Sequence, residues 1–399
     1  MSLNNLPAIL GGKPAFDNRI NIVRPVLPDF SELSDGLQKI LASRMVTKGS
    51  YLEAFEKAVC EHLGVKHAVG VSSCTTGLML TYRGLGLTGE VVVPSFTFMA
   101  TVSALVWCNL FPVYVDVNRQ TTNLDPRSVE AAITPRTTAL VAVHNFGNPA
   151  DIQDLKDVAE RHGLKLIFDA AHGFGALYRG EPVGVQGNAQ VFSLSPTKLL
   201  ITGEGGIVAT NDDELAQKIR IGREYGNDGN YDSAFAGMNA RLGEFNALMG
   251  LHSLKNLENA ARHRNQIADL YHEALESLPG IGFQEVDPDD RSSYKDFSFT
   301  IDPQLYGLTR DELASALIAE NIDVRKYYAP PVHRQKAYRH FYSGNPLPNT
   351  DWLAANSVSL PMWSNMSTEV AMNICQAIRC IQENAPAIHQ FLSQNPISG

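Results

Sequence analysis

Residues 191–198 read Val-Phe-Ser-Leu-Ser-Pro-Thr-Lys, and Gly203-Glu204-Gly205-Gly206 follow after four residues. The apolar start of this stretch is typical of a buried strand. A lysine after such a strand, with hydroxyl residues before it and a glycine-rich turn after it, can be held still and shielded from water. In that setting an amine becomes a nucleophile toward an aldehyde. Lys198 alone proves little, because most lysines are solvated surface charges.

The upstream segment Phe168-Asp169-Ala170-Ala171-His172 adds weight to Lys198. Enzymes that use pyridoxal 5′-phosphate (PLP) need a lysine for the Schiff base and an acid for the pyridinium nitrogen. Asp169 follows an apolar strand-like segment, and burying an acid without a partner is costly. A protonated ring nitrogen would be such a partner. A helix N-cap is the alternative role for Asp169, and His172 could contact a ring, position substrate or be purely structural.

Composition limits the classes of function. The chain has 399 residues, 44% of them hydrophobic, which predicts one large and one smaller domain. A net charge of −9 without a basic stretch argues against nucleic-acid binding and against an anionic membrane surface. The five cysteines form no CxxC pair, so we expect neither a disulfide framework nor a metal site. No signal pattern or run of 18 apolar residues occurs, and we expect a soluble, cytoplasmic protein.

The middle of the chain alternates short apolar segments with helical ones. This rhythm predicts an α/β structure whose mostly parallel sheet is covered on both faces. The strand-like segments are His67–Val71, Val91–Pro94, Pro112–Val115, Ala139–His144, Leu164–Phe168, Ala189–Leu194 and Gly206–Ala209.

The last third has a different pattern. Residues 242–278 predict one long helix that joins a large domain (residues 1–250) to a smaller α+β domain (residues 251–399). In the smaller domain we predict strands over 297–301 and 322–328, and a terminal helix over 368–392. Thr309 and Glu312 have the spacing of a capping box at a helix start.

Several loop residues are candidates for binding, each with a plainer alternative. Thr75 and Thr76 open a helix after the first strand, where free N–H groups suit a phosphate or need only a cap. Phe98 could stack on a flat ring or be core. Asn239 and Arg241 precede the long helix and could bind an anion or cap the helix. His333, in a proline-rich loop, is an ordinary loop residue when judged alone.

Taken in order, these features resemble the DegT/DnrJ/EryC1/StrS family of PLP-dependent aminotransferases. The resemblance runs from Gly11-Gly-Lys-Pro14 to Leu360-Pro-Met-Trp363, and its most specific motifs are Asp169-Ala-Ala-His172, Ser193-x4-Lys198 and Gly203-Glu-Gly-Gly206. It implies the type I aspartate aminotransferase fold, with a large PLP domain built on a mostly parallel seven-stranded sheet and a smaller C-terminal α+β domain.

The resemblance also implies roles for individual residues. Lys198 would form the Schiff base and later move a proton, while Asp169 would pair with the pyridinium. The other implied cofactor contacts are Phe98 stacked on the ring, His172 near it, and Thr75, Thr76 and Ser193 around the phosphate. Asn239 would reach the phosphate in the other subunit, which implies a homodimer with shared active sites. Arg241, His333 and Tyr328 would lie near the substrate entrance.

The implied reaction transfers an amino group from L-glutamate to a keto sugar nucleotide, with a dTDP-linked 4-keto-6-deoxyhexose as the expected acceptor. Family members that carry histidine in place of the lysine dehydrate or deoxygenate, whereas this chain keeps Lys198. Cys74 stands where the family often has glycine or alanine, and the apolar run Leu199-Leu200-Ile201 also departs from the common pattern. Two alternatives stay open: an aminotransferase for a cyclitol or an aromatic precursor, and a regulatory protein that binds PLP or a sugar without turnover.

Overall fold

The computed structural model describes residues 6–395. Its first part alternates helices and strands: α1 (Phe30–Ser43), α2 (Ser50–Leu63), β1 (His67–Val71), α3 (Cys74–Gly84), β2 (Glu90–Pro94), α4 (Ala100–Trp107), β3 (Phe111–Val115), α5 (Pro126–Ala132), β4 (Thr137–Val143), α6 (Ile152–His162), β5 (Lys165–Asp169), β6 (Leu177–Tyr178), β7 (Glu181–Pro182), β8 (Ala189–Ser193), β9 (Gly206–Thr210) and α7 (Asp213–Gly222).

The remaining elements are α8 (Glu244–Lys255), α9 (Leu257–Leu275), β10 (Ile281–Phe283), β11 (Phe297–Ile301), α10 (Pro303–Tyr306), α11 (Arg310–Ala319), α12 (Pro348–Asn356), β12 (Ser357–Leu360), α13 (Thr368–Glu383) and α14 (Ala385–Gln394). Short 3-10 turns lie at Ala8–Leu10, Asn145–Gly147, Val332–Arg334 and Arg339–Phe341.

Seven strands form the large sheet, in the order β1-β9-β8-β5-β4-β2-β3. All neighbouring pairs are parallel except the two that involve β9, which runs against β8 and β1. The predicted mostly parallel sheet is therefore confirmed. Because the parallel strands point the same way, the loops that follow them meet at one edge of the sheet, where ligands bind in folds of this type.

Both faces of this sheet are covered by helices. Side chains alternate between the faces, so Leu166 and Phe168 pack into one apolar cluster with α2 and α6, while Ile167 packs into the other with α3, α4 and α7. Burial on both sides explains why these strands read as nearly continuous apolar runs.

The predicted single helix over 242–278 is wrong, because α8 and α9 are separate helices divided at Asn256. This residue has φ −99° and ψ 0°, and its N–H bonds to the Ser253 carbonyl instead of continuing the helical pattern. The terminal helix is likewise two helices, α13 and α14, which meet at Asn384. Asparagine is a poor interior helix residue and a good terminal one, so both breaks have a local cause.

A second, smaller sheet packs against α9, α11 and α13. Its order is β10-β11-β12 with antiparallel pairs, and it has its own apolar cluster. The capping box of Thr309 and Glu312 at the start of α11 is confirmed. The strand predicted over 322–328 is wrong, since only single bridges at Ile322 and Arg325 join this segment to its neighbours. The domain division at residue 250 stays a prediction.

Across residues 6–395 no helix combines the length and the apolar character that a membrane crossing requires.

Candidate active site

A cavity of about 370 Å³ lies at the carboxyl edge of the large sheet. Its floor comes from the loops that follow β1, β2, β5 and β8, and its far wall comes from the start of β11 and the segment before the Val332–Arg334 turn. The side chains that matter for chemistry are Cys74, Thr75, Thr97, Phe98, Thr101, Asp169, His172, Ser193, Lys198, Glu204, Lys295, Asp296, Tyr327 and Tyr328. The topology thus brings together residues that are up to 255 positions apart in the sequence.

Lys198 lies in a tight loop between β8 and β9. Its backbone N–H bonds to the Ser195 carbonyl, and the loop is closed where Leu194 bonds to Gly205 and Thr202 bonds to Leu194. Protein surrounds the side chain, although part of it faces the cavity and is open to a water-sized molecule. Burial lowers the pKa of the Lys198 amine from 10.5 to about 7, with a further lowering by the nearby Lys295. A large fraction of this amine is therefore unprotonated at neutral pH.

Gly206 explains the glycine-rich turn after the lysine. A Cβ at this position would lie 2.6 Å from the Ser73 carbonyl carbon and 2.7 Å from the Cys74 nitrogen. Only glycine lets β9 approach the first turn of α3 so closely. The motif therefore sets the distance between the lysine loop and the helix start that borders the cavity.

Asp169 ends β5 with a buried carboxylate, which is 5% exposed. Its Oδ2 accepts a hydrogen bond from Thr101 Oγ1 at 2.7 Å, and its Oδ1 accepts one from the Ala171 N–H at 3.1 Å. Cys74 Sγ lies 3.7 Å from Oδ1. Burial raises the pKa of Asp169, and the bonds from Thr101 and Ala171 oppose that rise. No lysine, arginine or histidine in residues 6–395 forms an ion pair with it, so the carboxylate lacks a cation.

His172 and Phe98 also line the cavity. His172 is buried, its Nδ1 has no hydrogen-bond partner in the described part of the chain, and burial keeps its pKa well below the ordinary value. The ring is therefore neutral. Phe98 is 52% exposed, which rules out the alternative that it is core. A flat, cationic heteroaromatic ring needs an aromatic face to stack on, a hydrogen-bond partner and a carboxylate as counter-ion. Phe98, His172 and Asp169 offer these three features, and PLP fits this set.

The phosphate contacts expected around the α3 start divide into two groups. Thr75 and Ser193 line the cavity beside the first turn of α3, whose free N–H groups and partial positive charge favour an anion. Thr76 is not among the residues that line the cavity, so its contact with a phosphate stays a prediction. The Thr76 hydroxyl instead bonds to the Ser73 main chain at 2.9 Å and 3.1 Å, as the partner of Ser73 in a capping box.

Of the three residues expected near the substrate entrance, one lines the cavity of its own chain, and the substrate roles of all three stay predictions. Tyr328 does line the cavity, stacked on Phe146. Arg241 does not, and it pairs with Glu224 at 3.0 Å. His333 is buried outside the cavity lining, with Nδ1 2.7 Å from Ser95 Oγ and Nε2 3.4 Å from Asp351. Both ring nitrogens of His333 thus have partners within the protein.

Asn239 is exposed and lies outside the cavity of its own chain. This position leaves open the predicted contact with the cofactor of a second subunit.

Sequence reasoning missed several residues of the cavity wall. Thr101 follows Phe98 by one helical turn, and this spacing alone could have suggested that both reach the same site. Thr97 Oγ1 is 3.0 Å from Thr101 Oγ1, so the two hydroxyls form a chain that ends at Asp169. Lys295 and Asp296 were missed because only the tertiary fold brings them to the cavity. Two adjacent charges before an apolar strand were the available signal.

The comparisons with known proteins agree with this geometry. The family model described as DegT/DnrJ/EryC1/StrS aminotransferase matches residues 30–379. The dTDP-3-amino-3,4,6-trideoxy-alpha-D-glucose transaminase of Streptomyces venezuelae is 36% identical over 353 residues, which cover 88% of this chain and 92% of that protein. The dTDP-4-amino-4,6-dideoxy-D-glucose transaminase of Escherichia coli is 31% identical over 366 residues, covering 91% and 98%.

Among solved structures, the crystal structure of DesI in the presence of its TDP-sugar product has a TM-score of 0.90 and 36% identity. It covers 98% of this chain and 99% of that one. The predicted type I aminotransferase fold is thereby confirmed. With the family match spanning most of the sequence, this chain belongs to the DegT/DnrJ/EryC1/StrS aminotransferase family and is an aminotransferase.

Proposed function

We propose that this protein uses PLP to transfer an amino group from L-glutamate to a keto sugar nucleotide, giving an amino sugar nucleotide. One observation carries the proposal: a single cavity holds both the Lys198 amine, whose pKa is lowered, and the buried Asp169 carboxylate. This carboxylate accepts a hydrogen bond from Thr101 but forms no ion pair in the described part of the chain. The names of the two transaminase relatives, both of which specify dTDP-amino sugars, support a dTDP-linked 4-keto-6-deoxyhexose as the acceptor.

The residues divide the chemistry among them. Lys198 Nζ would hold the cofactor and would act as the base that takes the proton from the donor's Cα and as the acid that returns it. Asp169 holds a proton on the ring nitrogen, and the hydroxyl of Thr101 fixes the carboxylate for that task. Phe98, Thr75 and Ser193 line the cavity, where Phe98 would cover the ring and the two hydroxyl residues would hold the phosphate. When bound, PLP supplies the electron sink for the charge left on the donor carbon.

The test of this site needs purified protein and one substitution. Incubation with PLP followed by borohydride should fix the cofactor to Lys198, which peptide mass spectrometry would show. Lys198→Ala should retain PLP only non-covalently and lose turnover, and Lys156→Ala on exposed α6 serves as the control. Normal transamination by Lys198→Ala would eliminate the proposed base. Asp169→Asn should weaken PLP retention and turnover together, and an unaffected variant would dismiss its role at the ring nitrogen.

The acceptor is tested separately. The protein is mixed with L-glutamate and a panel of keto sugar nucleotides and keto cyclitols, and release of 2-oxoglutarate is followed. Release with dTDP-linked keto sugars supports the proposal. Release with a cyclitol alone would favour the cyclitol alternative, and no release with any acceptor would favour a regulatory binder.

The proposed assembly is a homodimer in which Asn239 completes the site of the second subunit. Large apolar side chains that are exposed support an unfilled interface: Phe30 is 77% exposed and Tyr231 98%. Mixing Lys198→Ala with Asn239→Ala should recover about a quarter of wild-type activity, because half of the randomly paired dimers carry one intact site of two. Hybrid dimers that stay as inactive as the separate variants would reject shared sites.

A further inference from the structure

A buried ion pair forms part of the cavity wall. Lys295 Nζ lies 2.8 Å and 2.9 Å from the two carboxylate oxygens of Asp296, and both side chains are under a tenth exposed. Both residues line the same cavity as Lys198. Burying two charges costs desolvation energy that their attraction barely offsets, so such a pair is a poor source of stability. Its presence beside the catalytic lysine calls for another explanation.

Arg264 holds this pair in place from behind. The guanidinium of this α9 residue is 1% exposed and forms no ion pair with any carboxylate in residues 6–395. Its Nη1 donates to the carbonyls of Tyr294 and Lys295, each at 3.0 Å. The Lys295 N–H in turn donates to the Phe146 carbonyl at 3.0 Å. The backbone under the ion pair is therefore fixed from two sides, at the cost of a third buried charge.

Charged and titratable groups from several elements face Lys198. Within the cavity it shares space with Cys74, Asp169, His172, Glu204, Lys295, Asp296, Tyr327 and Tyr328, and a neighbouring cleft that Lys198 also borders adds Arg24, Glu32, His252, Arg262, His263 and Arg264. Of the charges that act on the Lys198 pKa, Lys295 has the largest effect and lowers it, while Asp296, Cys74 and Asp169 raise it less. The Lys295 ammonium therefore outweighs its own counter-ion at this position.

We propose that the Lys295–Asp296 pair is a positioning element that places a second ammonium beside Lys198 and so keeps the Lys198 amine free of its proton at neutral pH. The proposal rests on the proposed function, because a free amine matters only if Lys198 binds the cofactor aldehyde. Lys295 is a positioning residue here: it acts through Lys198. The Asp296 carboxylate accepts a hydrogen bond from Lys295 Nζ, and Arg264 fixes the Lys295 backbone through its carbonyl.

The test measures the protonation of Lys198 in the protein without PLP. Competitive labelling with acetic anhydride between pH 6 and pH 10, read by peptide mass spectrometry, reports the fraction of free amine at Lys198. In Lys295→Met the labelling curve should move to higher pH. A shift of about one unit would cut the free amine at pH 7 from about a half to about a tenth, and so slow labelling about fivefold.

Two further variants separate this electrostatic role from a merely structural one. Asp296→Asn removes the counter-ion and should move the curve to lower pH, opposite to Lys295→Met, whereas general damage would move both the same way. Lys295→Arg keeps the charge and should restore the wild-type curve, and Lys156→Met is the matched control on an exposed helix face.

An unmoved curve in Lys295→Met overturns the proposal. If that variant does not fold, the double variant Lys295→Met with Asp296→Leu removes both charges, and it should still label more slowly than wild type. An unchanged double variant overturns the proposal as well. The labelling uses neither PLP nor sugar, so its result is independent of whether the amino transfer assay succeeds.

Discussion

Replacing Lys198 with methionine should make the protein without PLP more stable. Methionine has a similar length and no charge, so it suits an enclosed site that the ammonium tolerates poorly. The structure lowers the pKa of Lys198 from 10.5 to about 7, which means that folding must remove a proton from this lysine or hold the charge out of water. The active-site lysine is therefore a destabilising residue that function maintains.

The magnitude follows from the two pKa values. In the unfolded chain the amine stays protonated up to pH 10.5, whereas in the folded chain it loses its proton near pH 7. Between these values the unfolded state binds more protons, so the stability of the wild type rises with pH across that window. At pH 7 the shifted pKa of Lys198 lowers the free energy of unfolding by about 3–4 kcal/mol, where the lower figure allows for screening by water in the cavity. At pH 9.5 this loss of stability falls to about 1.4 kcal/mol.

The assay is urea unfolding of wild type and Lys198→Met at pH 7 and at pH 9.5, with the subunit concentration held equal because the stability of the proposed dimer would depend on it. The gap in unfolding free energy should favour the variant at pH 7 and narrow at pH 9.5. Lys156→Met, at an exposed position on α6, should change stability by less than about 0.5 kcal/mol.

Two results would refute this reasoning. A variant no more stable than wild type at pH 7 would mean that Lys198 is solvated in the folded protein. A gap of the same size at both pH values would mean that packing, and not the proton, causes it.

Three further changes test one contact within the site and two features of the surrounding fold. Thr101→Val removes the 2.7 Å hydrogen bond to Asp169. Because a hydrogen bond to a charged group contributes about 1.5–3 kcal/mol, PLP retention, measured by dialysis and absorbance, should weaken at least about tenfold. Equal retention in Thr101→Val and wild type would contradict this role. Glu244→Ala leaves three backbone N–H groups at the start of α2 without an acceptor. The free energy of unfolding, measured in urea, should therefore fall by about 3 kcal/mol. An unchanged unfolding midpoint would show that water replaces the carboxylate. Gly206→Ala forces a Cβ against the backbone before α3 and should cost about 1–3 kcal/mol, seen as a lower melting temperature together with poorer PLP retention; a fully stable variant would mean that the loop relaxes freely.

The sequence alone located the α/β layer and singled out the two residues on which the proposed chemistry depends. Seven apolar segments were each too short for a core helix. They coincide with the seven strands of the large sheet, and their predicted ends are right to within a residue or two. Asp169 and Lys198 stood out because each follows such a strand, and the ends of parallel strands share one edge. These signals are local, since a strand and the loop after it are consecutive in the chain.

Only the tertiary structure decided which other side chains complete the cavity and what they do there. Lys295, Asp296 and Tyr327 lie 97 to 129 residues beyond Lys198 in the chain, and no periodicity links them to it. His333 matches a substrate position by resemblance. In the structure its two ring nitrogens contact Ser95 and Asp351. The depressed pKa of Lys198 has the same origin: burial and neighbouring charge depend on distances through space, which the order of residues along a chain does not contain.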